Sequence, residues 1–123
     1  IIGAPRTATL LALVTALHEK DKEAALGAVS DAVESGVDMK LFLRVLLEHI
    51  RAVMLVRNLP AKKETILSSF GEAAREKIEA FAGGASPLNS HLLLRFLQAN
   101  DLVMRSPIPQ APLEIAIIES MEQ

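Results

Sequence analysis

Three histidines, His18, His49 and His91, are the side chains in this sequence best suited to bind a metal or to transfer protons. Each falls on a different predicted helix, and the H-E-x-x-H spacing that places two histidines on one helical face does not occur. Glu48 precedes His49 directly, so on a helix these two side chains diverge by about 100°. The sequence therefore predicts no metal site. We expect His18 to lie in the last turn of the first helix, where it complements the helix dipole.

Phosphate binding and acid–base catalysis require patterns that this sequence lacks. A phosphate-binding loop combines glycines with Lys-Ser or Lys-Thr, whereas Gly83-Gly84 is followed by Ala85-Ser86-Pro87, which is typical of a helix stop. The carboxylates form two clusters, Glu19, Asp21 and Glu23, and Glu72, Glu76 and Glu79. Both clusters lie at helix starts or on solvated faces interleaved with Lys or Arg, as surface charges do. We predict no catalytic residue and no cofactor.

Basic residues are concentrated in the middle of the chain. From Lys40 to Lys63 there are six of them against one acid, Glu48. The candidate basic stripe comprises Lys40, Arg44, Arg51 and Arg57. It could bind DNA or an acidic partner, but we favour the simpler interpretation of a solvated face on a buried helix. A net charge of −2 argues against tight binding of nucleic acid, because DNA-binding domains are usually basic.

The composition favours an all-helical fold. Half of the 123 residues are apolar, but the aromatic residues are four Phe, with no Trp or Tyr. Leu, Ile, Val, Ala and Met must therefore build the core, which suits helix-on-helix packing more than a β-sandwich. We predict an all-α bundle of about six or seven helices, forming a single domain over residues 1–123. Cys is absent, which excludes disulfides and thiolate metal sites and fits a cytoplasmic location.

Helix boundaries in the first half of the chain follow from caps and breakers. The first helix is predicted from about Thr7 to His18. Asp21 is suited to cap the second helix, and Gly36 to end it with a positive φ. Asp38 is suited to cap a third helix that reaches about Asn58. Most of this third helix is apolar, and its polar row has members four, four and three residues apart: Lys40, Arg44, Glu48 and Arg51.

The second half of the chain predicts four further helices. A short helix covers Lys62 to Ser68, and Ser69 with Glu72 has the spacing of a capping box for the next. Four residues of that helix should face inward: Ala74, Ile78, Phe81 and Ala82. Ser86-Pro87 is predicted to open a long sixth helix, with Pro at its first position. Its apolar residues are Leu88, Leu92, Leu93, Phe96, Leu97, Leu102 and Val103.

The last helix, opened by Pro112, carries more apolar side chains than one face can bury. These candidate interface residues are Leu113, Ile115, Ile117, Ile118 and Met121. Either a deep groove of the bundle takes them up, or some of them meet another chain. The spacing places Leu113 with Ile117 on one side of the helix and Ile115 with Ile118 on another.

The start of the sequence and its most apolar stretch indicate whether the chain is secreted or spans a membrane. The sequence begins Ile1-Ile2-Gly3 without Met, and we interpret it as part of a longer protein. No signal-peptide pattern is visible in these residues. The stretch Met39 to Val56 holds four charged residues, which argues against a transmembrane helix and predicts no contact with a membrane.

The order of these features resembles domain III of the DNA polymerase III tau/gamma subunit over nearly the whole chain. The resemblance rests on Ile2-Gly3-Ala4-Pro5, Leu10 to Leu17, Asp21 with Ala24 to Ala28, Glu34-Ser35-Gly36-Val37-Asp38, Leu46-Leu47 with Ile50-Arg51, and Pro112-Leu113-Glu114-Ile115-Ala116-Ile117-Ile118. The last segment is similar to the family's final P-x-x-x-L-E-x-A-L-L. Glu119 stands where the family often has Arg.

This resemblance implies a collar domain with no catalytic site of its own. Its partners would be other clamp-loader subunits: further copies of itself and subunits of the delta and delta-prime type. The collar would hold the ATPase parts, which belong upstream, in a ring that loads the sliding clamp. A helical adaptor that binds a partner helix in a groove is the alternative. An enzyme domain of another kind is disfavoured by the lack of converging polar residues.

Overall fold

Seven α-helices and one 3-10 helix occur in residues 6–122, the part of the chain that the computed structural model describes. They are α1 (Thr7–Glu19), α2 (Lys22–Glu34), α3 (Met39–Asn58), the 3-10 helix (Pro60–Lys62), α4 (Lys63–Leu67), α5 (Glu72–Ala82), α6 (Ser90–Val103) and α7 (Ala111–Met121). Residues 6–122 contain no strand, so the prediction of an all-helical bundle is confirmed. The segment Ile2 to Pro5 lies outside the described residues.

The third helix is the centre of the bundle. It packs against α5 and α6 and also contacts α1 and α4. Phe42, Leu43, Leu46 and Ile50 are fully buried along one side of it. Two pairs of consecutive helices complete the core: α1 packs against α2, and α6 packs against α7, which in turn contacts α2.

Two aspartates cap α2 and α3, as predicted. The Oδ1 atom of Asp21 accepts a hydrogen bond from the backbone N–H of Ala24 at 3.1 Å. The Oδ1 atom of Asp38 accepts from the backbone N–H groups of Lys40 and Leu41, at 2.9 and 3.3 Å. Each cap satisfies N–H groups that have no partner inside the helix, which stabilises a helix by about 1 kcal/mol.

The helices α1 and α2 both end in a left-handed residue. Gly36 has φ +78, as predicted for a C′ glycine, and the next backbone N–H reaches back to the carbonyl of Ala32 at 3.0 Å. Lys20 has φ +58 in the equivalent place, and the N–H after it reaches the carbonyl of Ala16 at 2.9 Å. Both turns are Schellman motifs, and one of them has a lysine where glycine is preferred.

The capping box predicted for α5 is wrong. Glu72 is the first helical residue and Gly71 is its N-cap, with no side-chain hydrogen bond, so Ser69 lies two residues too early. Phe70 explains the shift. Its ring packs edge-on against the ring of His49, with centroids 5.0 Å apart. Because Phe70 points inward to make this contact, the chain turns into α5 only after it.

The predicted start of α6 at Ser86-Pro87 is also wrong, because the helix begins three residues after Pro87. Asn89 is the N-cap, and its side-chain oxygen accepts from the backbone N–H of Leu92 at 3.1 Å. Before it, the hydroxyl of Ser86 accepts from the N–H of Leu88 at 3.2 Å, so this segment forms a turn of its own.

Candidate subunit interface

The last helix has one buried and one exposed apolar side. It begins at Ala111, with Pro112 in its first turn. Leu113 is 1% exposed and Ile117 fully buried, whereas Ile115 is 55% exposed. Ile118 lies half-buried at the edge, and Met121 packs partly buried against the core. The bundle therefore covers only one of the two sides that the spacing predicted.

Three leucines of α6 are exposed as well. Leu94 is 57%, Leu97 45% and Leu102 52% exposed. Leu97 and Leu102 are among the apolar residues expected on this helix, whereas Leu94 is not. Helical geometry could have identified it, since Leu94 lies two residues from both Leu92 and Phe96 and so points about 160° away from these buried side chains.

A shallow groove of about 160 Å³ joins the two helices, and Leu102 and Ile115 both line it. An ion pair between Arg95 Nη1 and Glu119 Oε1, at 3.1 Å, spans the same groove. Glu119, which replaces the Arg common in the resembling family, thus has a partner inside the chain. We call Leu102 and Ile115, which both line this groove, the α6–α7 apolar face.

Three members of the predicted basic stripe lie on one face of α3. Lys40, Arg44 and Arg51 are exposed, together with Glu48, and these four residues form the α3 row. None of the four takes part in an ion pair with another residue of the described chain.

Arg57 does not belong to the basic stripe. Its guanidinium donates to the backbone carbonyls of Leu88 at 3.3 Å and Phe81 at 3.5 Å, and its Nε is buried without a partner. Six residues after Arg51, it lies about 120° away from the α3 row, towards the side of the helix that is buried. Arg57 therefore fastens the α5–α6 connection to α3.

The histidines are in three separate environments. His49 is 6% exposed. Its Nδ1 lies 2.8 Å from the carbonyl oxygen of Val45, and a proton on Nδ1 would be donated to that oxygen. Burial lowers the pKa of His49, and the Val45 carbonyl and the charge of Glu48 oppose that shift only in part. His91 is exposed on α6.

His18 lies in the last turn of α1, as predicted, and it also joins two distant parts of the chain. Its ring stacks on Phe81, with centroids 4.0 Å apart, and its Nδ1 lies 2.7 Å from the hydroxyl of Ser86. Because that hydroxyl accepts from Leu88, its own proton is free to point at Nδ1. The imidazole is thus a structural link between α1, α5 and the turn before α6.

Residues 6–122 contain neither a metal-binding cluster nor a membrane-spanning helix. No group of three or more His, Cys, Asp or Glu side chains in that range could hold a metal ion. Between the same limits, none of the helices combines the length and the apolarity that a bilayer crossing demands.

An all-helical bundle that leaves an apolar face exposed along two adjacent helices is typical of domains that assemble with other protein subunits. The family model for domain III of the DNA polymerase III subunits gamma and tau matches residues 1–122, so the chain belongs to this family. No curated protein sequence matches it.

Proposed function

We propose that this chain is the collar domain of a gamma/tau-type clamp-loader subunit and that the α6–α7 apolar face packs against a neighbouring subunit. Membership of the domain III family supports the class of function. The observation that carries the interface is the 55% exposure of Ile115 beside the exposed Leu102, on a helix whose other side is fully buried.

In this proposal the domain acts mechanically. Burial of the apolar face against a neighbour is favourable by about 25 cal/mol per Å² of apolar surface removed from water. Neighbours would be further copies of the chain and subunits of the delta and delta-prime type. The closed collar would hold the ATPase parts of those subunits in register while they load the sliding clamp in the cytoplasm. Nucleotide chemistry belongs to those other parts.

The test compares three isoleucine substitutions. Ile115→Asp places a charge on the exposed side of α7 and is expected to fold but not to co-purify with delta and delta-prime type subunits. Ile117→Asp buries an unpaired charge, which costs about 3–5 kcal/mol, and is expected to unfold the chain. Ile108→Asp is the matched control, since Ile108 is 54% exposed but lies outside the apolar face.

Circular dichroism reports folding and co-purification reports assembly in each variant. Ile108→Asp should fold and assemble normally. Assembly of Ile115→Asp at the level of the unmodified chain would show that the α6–α7 apolar face is not the interface. If the chain is instead an adaptor, it should bind a single helical peptide and should not co-purify with clamp-loader subunits.

A further inference from the structure

A second outward surface lies on α2. Glu23, Gly27, Asp31 and Glu34 are all exposed, and we call them the α2 row. They are four, four and three residues apart, which on an α-helix confines them to an arc of about 80°.

The α2 row and the α3 row have the same spacing and opposite charge. Both follow the pattern i, i+4, i+8, i+11, so both span about 16 Å along their helices. The α2 row carries three acids and a glycine, whereas the α3 row carries three bases and Glu48. The two rows do not pair within the chain. The described ion pairs all involve other residues: Lys63 with Glu79, Arg75 with Glu64, and Arg95 with Glu119.

Antiparallel alignment of the two rows pairs six of their seven charges. The pairs it forms are Glu23 with Arg51, Asp31 with Arg44, and Glu34 with Lys40. The remaining two positions, Gly27 and Glu48, then face each other, so the one acid of the α3 row meets the one uncharged position of the α2 row. The pairs stay in register to within one residue, about 1.5 Å. Parallel alignment would place Asp31 against Glu48, which is repulsive.

Gly27 is otherwise unexplained. Glycine is less favourable than alanine inside a helix, and it is usually retained where a neighbour approaches closely. A Cβ atom added at Gly27 would meet nothing within 4 Å in the chain. The space beside Gly27 is therefore open to a neighbouring molecule, at the centre of the α2 row.

We infer that the α2 row of one copy docks antiparallel on the α3 row of a second copy of this chain. This ion ladder rests on the proposed function and adds a partner and an orientation to it. Since the two rows belong to different helices, the contact can repeat head-to-tail from copy to copy, as a ring requires. The ladder fixes orientation and register, while the α6–α7 apolar face contributes buried area.

Crosslinking tests the register directly, because the chain has no cysteine of its own. Differently tagged copies carrying Glu23→Cys and Arg51→Cys are mixed and treated with a short bismaleimide linker. These two positions face each other in the ladder, and a heterodimer is expected. Copies carrying Glu23→Cys and Lys40→Cys form the control, since the ladder separates them by about 16 Å. Crosslinking of the control pair at or above the yield of the first pair would overturn the inference.

Charge reversal tests the same contact without cysteine. One variant carries Lys40→Glu, Arg44→Glu and Arg51→Glu, and the other Glu23→Lys, Asp31→Lys and Glu34→Lys. By sedimentation equilibrium, each variant alone should associate more weakly by on the order of tenfold, from three exposed ion pairs. An equimolar mixture should regain the association of the unmodified chain, because opposite rows again meet. No recovery in the mixture would overturn the ladder.

The two proposals fail separately. If the unmodified chain co-purifies with clamp-loader subunits but the Glu23→Cys and Arg51→Cys pair gives no crosslink, the ladder is wrong and the collar function stands. If the crosslink forms and recovery occurs but no clamp-loader subunit is retained, the copy-to-copy contact is real and the collar function is wrong.

Discussion

The buried imidazole of His49 links the stability of the chain to pH. Burial lowers its pKa from the ordinary 6.5, so the folded protein holds the ring neutral at pH values where the unfolded chain would protonate it. In that range the unfolded state binds more protons, and the free energy of unfolding therefore rises with pH. Stability should be complete above 6.5 and should fall as the pH drops from there towards the lowered pKa of the folded state.

Replacing His49 with glutamine should remove this pH dependence. Glutamine remains neutral and can still donate to the carbonyl of Val45. Urea unfolding at about pH 8 and about pH 5 gives the loss of stability on acidification for each protein. We expect the loss to be smaller in the His49→Gln variant than in the unmodified chain. Equal losses would mean that His49 protonates as readily in the folded state as in the unfolded one.

Single residues were least predictable where their partners are far away in the chain. His18 was assigned to the end of α1 from its position alone, but its partner Ser86 lies 68 residues further on. Arg57 was grouped with nearby bases, because sequence spacing does not reveal that its guanidinium meets the carbonyls of Phe81 and Leu88. Both assignments depend on how helices pack, which local pattern does not encode.

At the scale of elements, the ends of α1 and α2 form a natural comparison. Gly36 adopts φ +78 without strain, because glycine has no Cβ. Lys20 adopts φ +58, where a side chain costs about 1 kcal/mol. The two turns share the same hydrogen-bond pattern, so the difference between them is mainly one of residue type.

Exchange of residue type at these turns should have opposite effects. Lys20→Gly is expected to stabilise the chain by about 1 kcal/mol, since it relieves a left-handed lysine. Gly36→Ala should destabilise it by about 1 kcal/mol, because alanine would have to adopt the positive φ. No atom lies within 4 Å of the added methyl group, so a steric clash should not increase this cost. Urea midpoints measure both changes. A stabilising Gly36→Ala, or a neutral Lys20→Gly, would contradict this account of the turns.

Helix ends were predictable where the signal lies within a few residues. Asp21, Asp38 and Gly36 each act through backbone groups of the adjacent turn, and all three predictions are confirmed. The starts of α5 and α6 were misplaced because tertiary contacts decide them. Phe70 must reach His49 before α5 begins, and the turn at Ser86 is bound to His18 before α6 begins.

At the scale of the whole molecule, charge distribution bears on DNA binding. The net charge is −2, and with Arg57 turned inward the basic stripe is reduced to three exposed cations. We expect duplex DNA to bind weakly, with an affinity that falls about 40-fold between about 50 and 200 mM salt if three phosphates are contacted. A fluorescence titration at both salt concentrations measures this. Tight binding that persists at the higher concentration would assign the α3 row to DNA instead of the ion ladder.

The sequence predicts that α7 has two apolar sides, but not which of them is exposed. Periodicity separated the two sides of α7, because Leu113 with Ile117 and Ile115 with Ile118 differ in helical phase. It could not show which side the bundle covers, since that depends on α6 and α2 packing against α7. Whether the exposed side meets another subunit stays a prediction.

The arrangement around α3 also has a consequence for synthesis on the ribosome. The first pair, α1 with α2, joins sequence neighbours and can form as soon as both helices have emerged, on the fast timescale of local helical contacts. Leu13 and Val14 of α1 are fully buried in the finished core, to which α3 and α5 contribute from later in the chain. Until α3 and α5 emerge, part of the apolar surface of the α1–α2 pair stays exposed. A chaperone would find the most apolar surface to bind during this stage of synthesis.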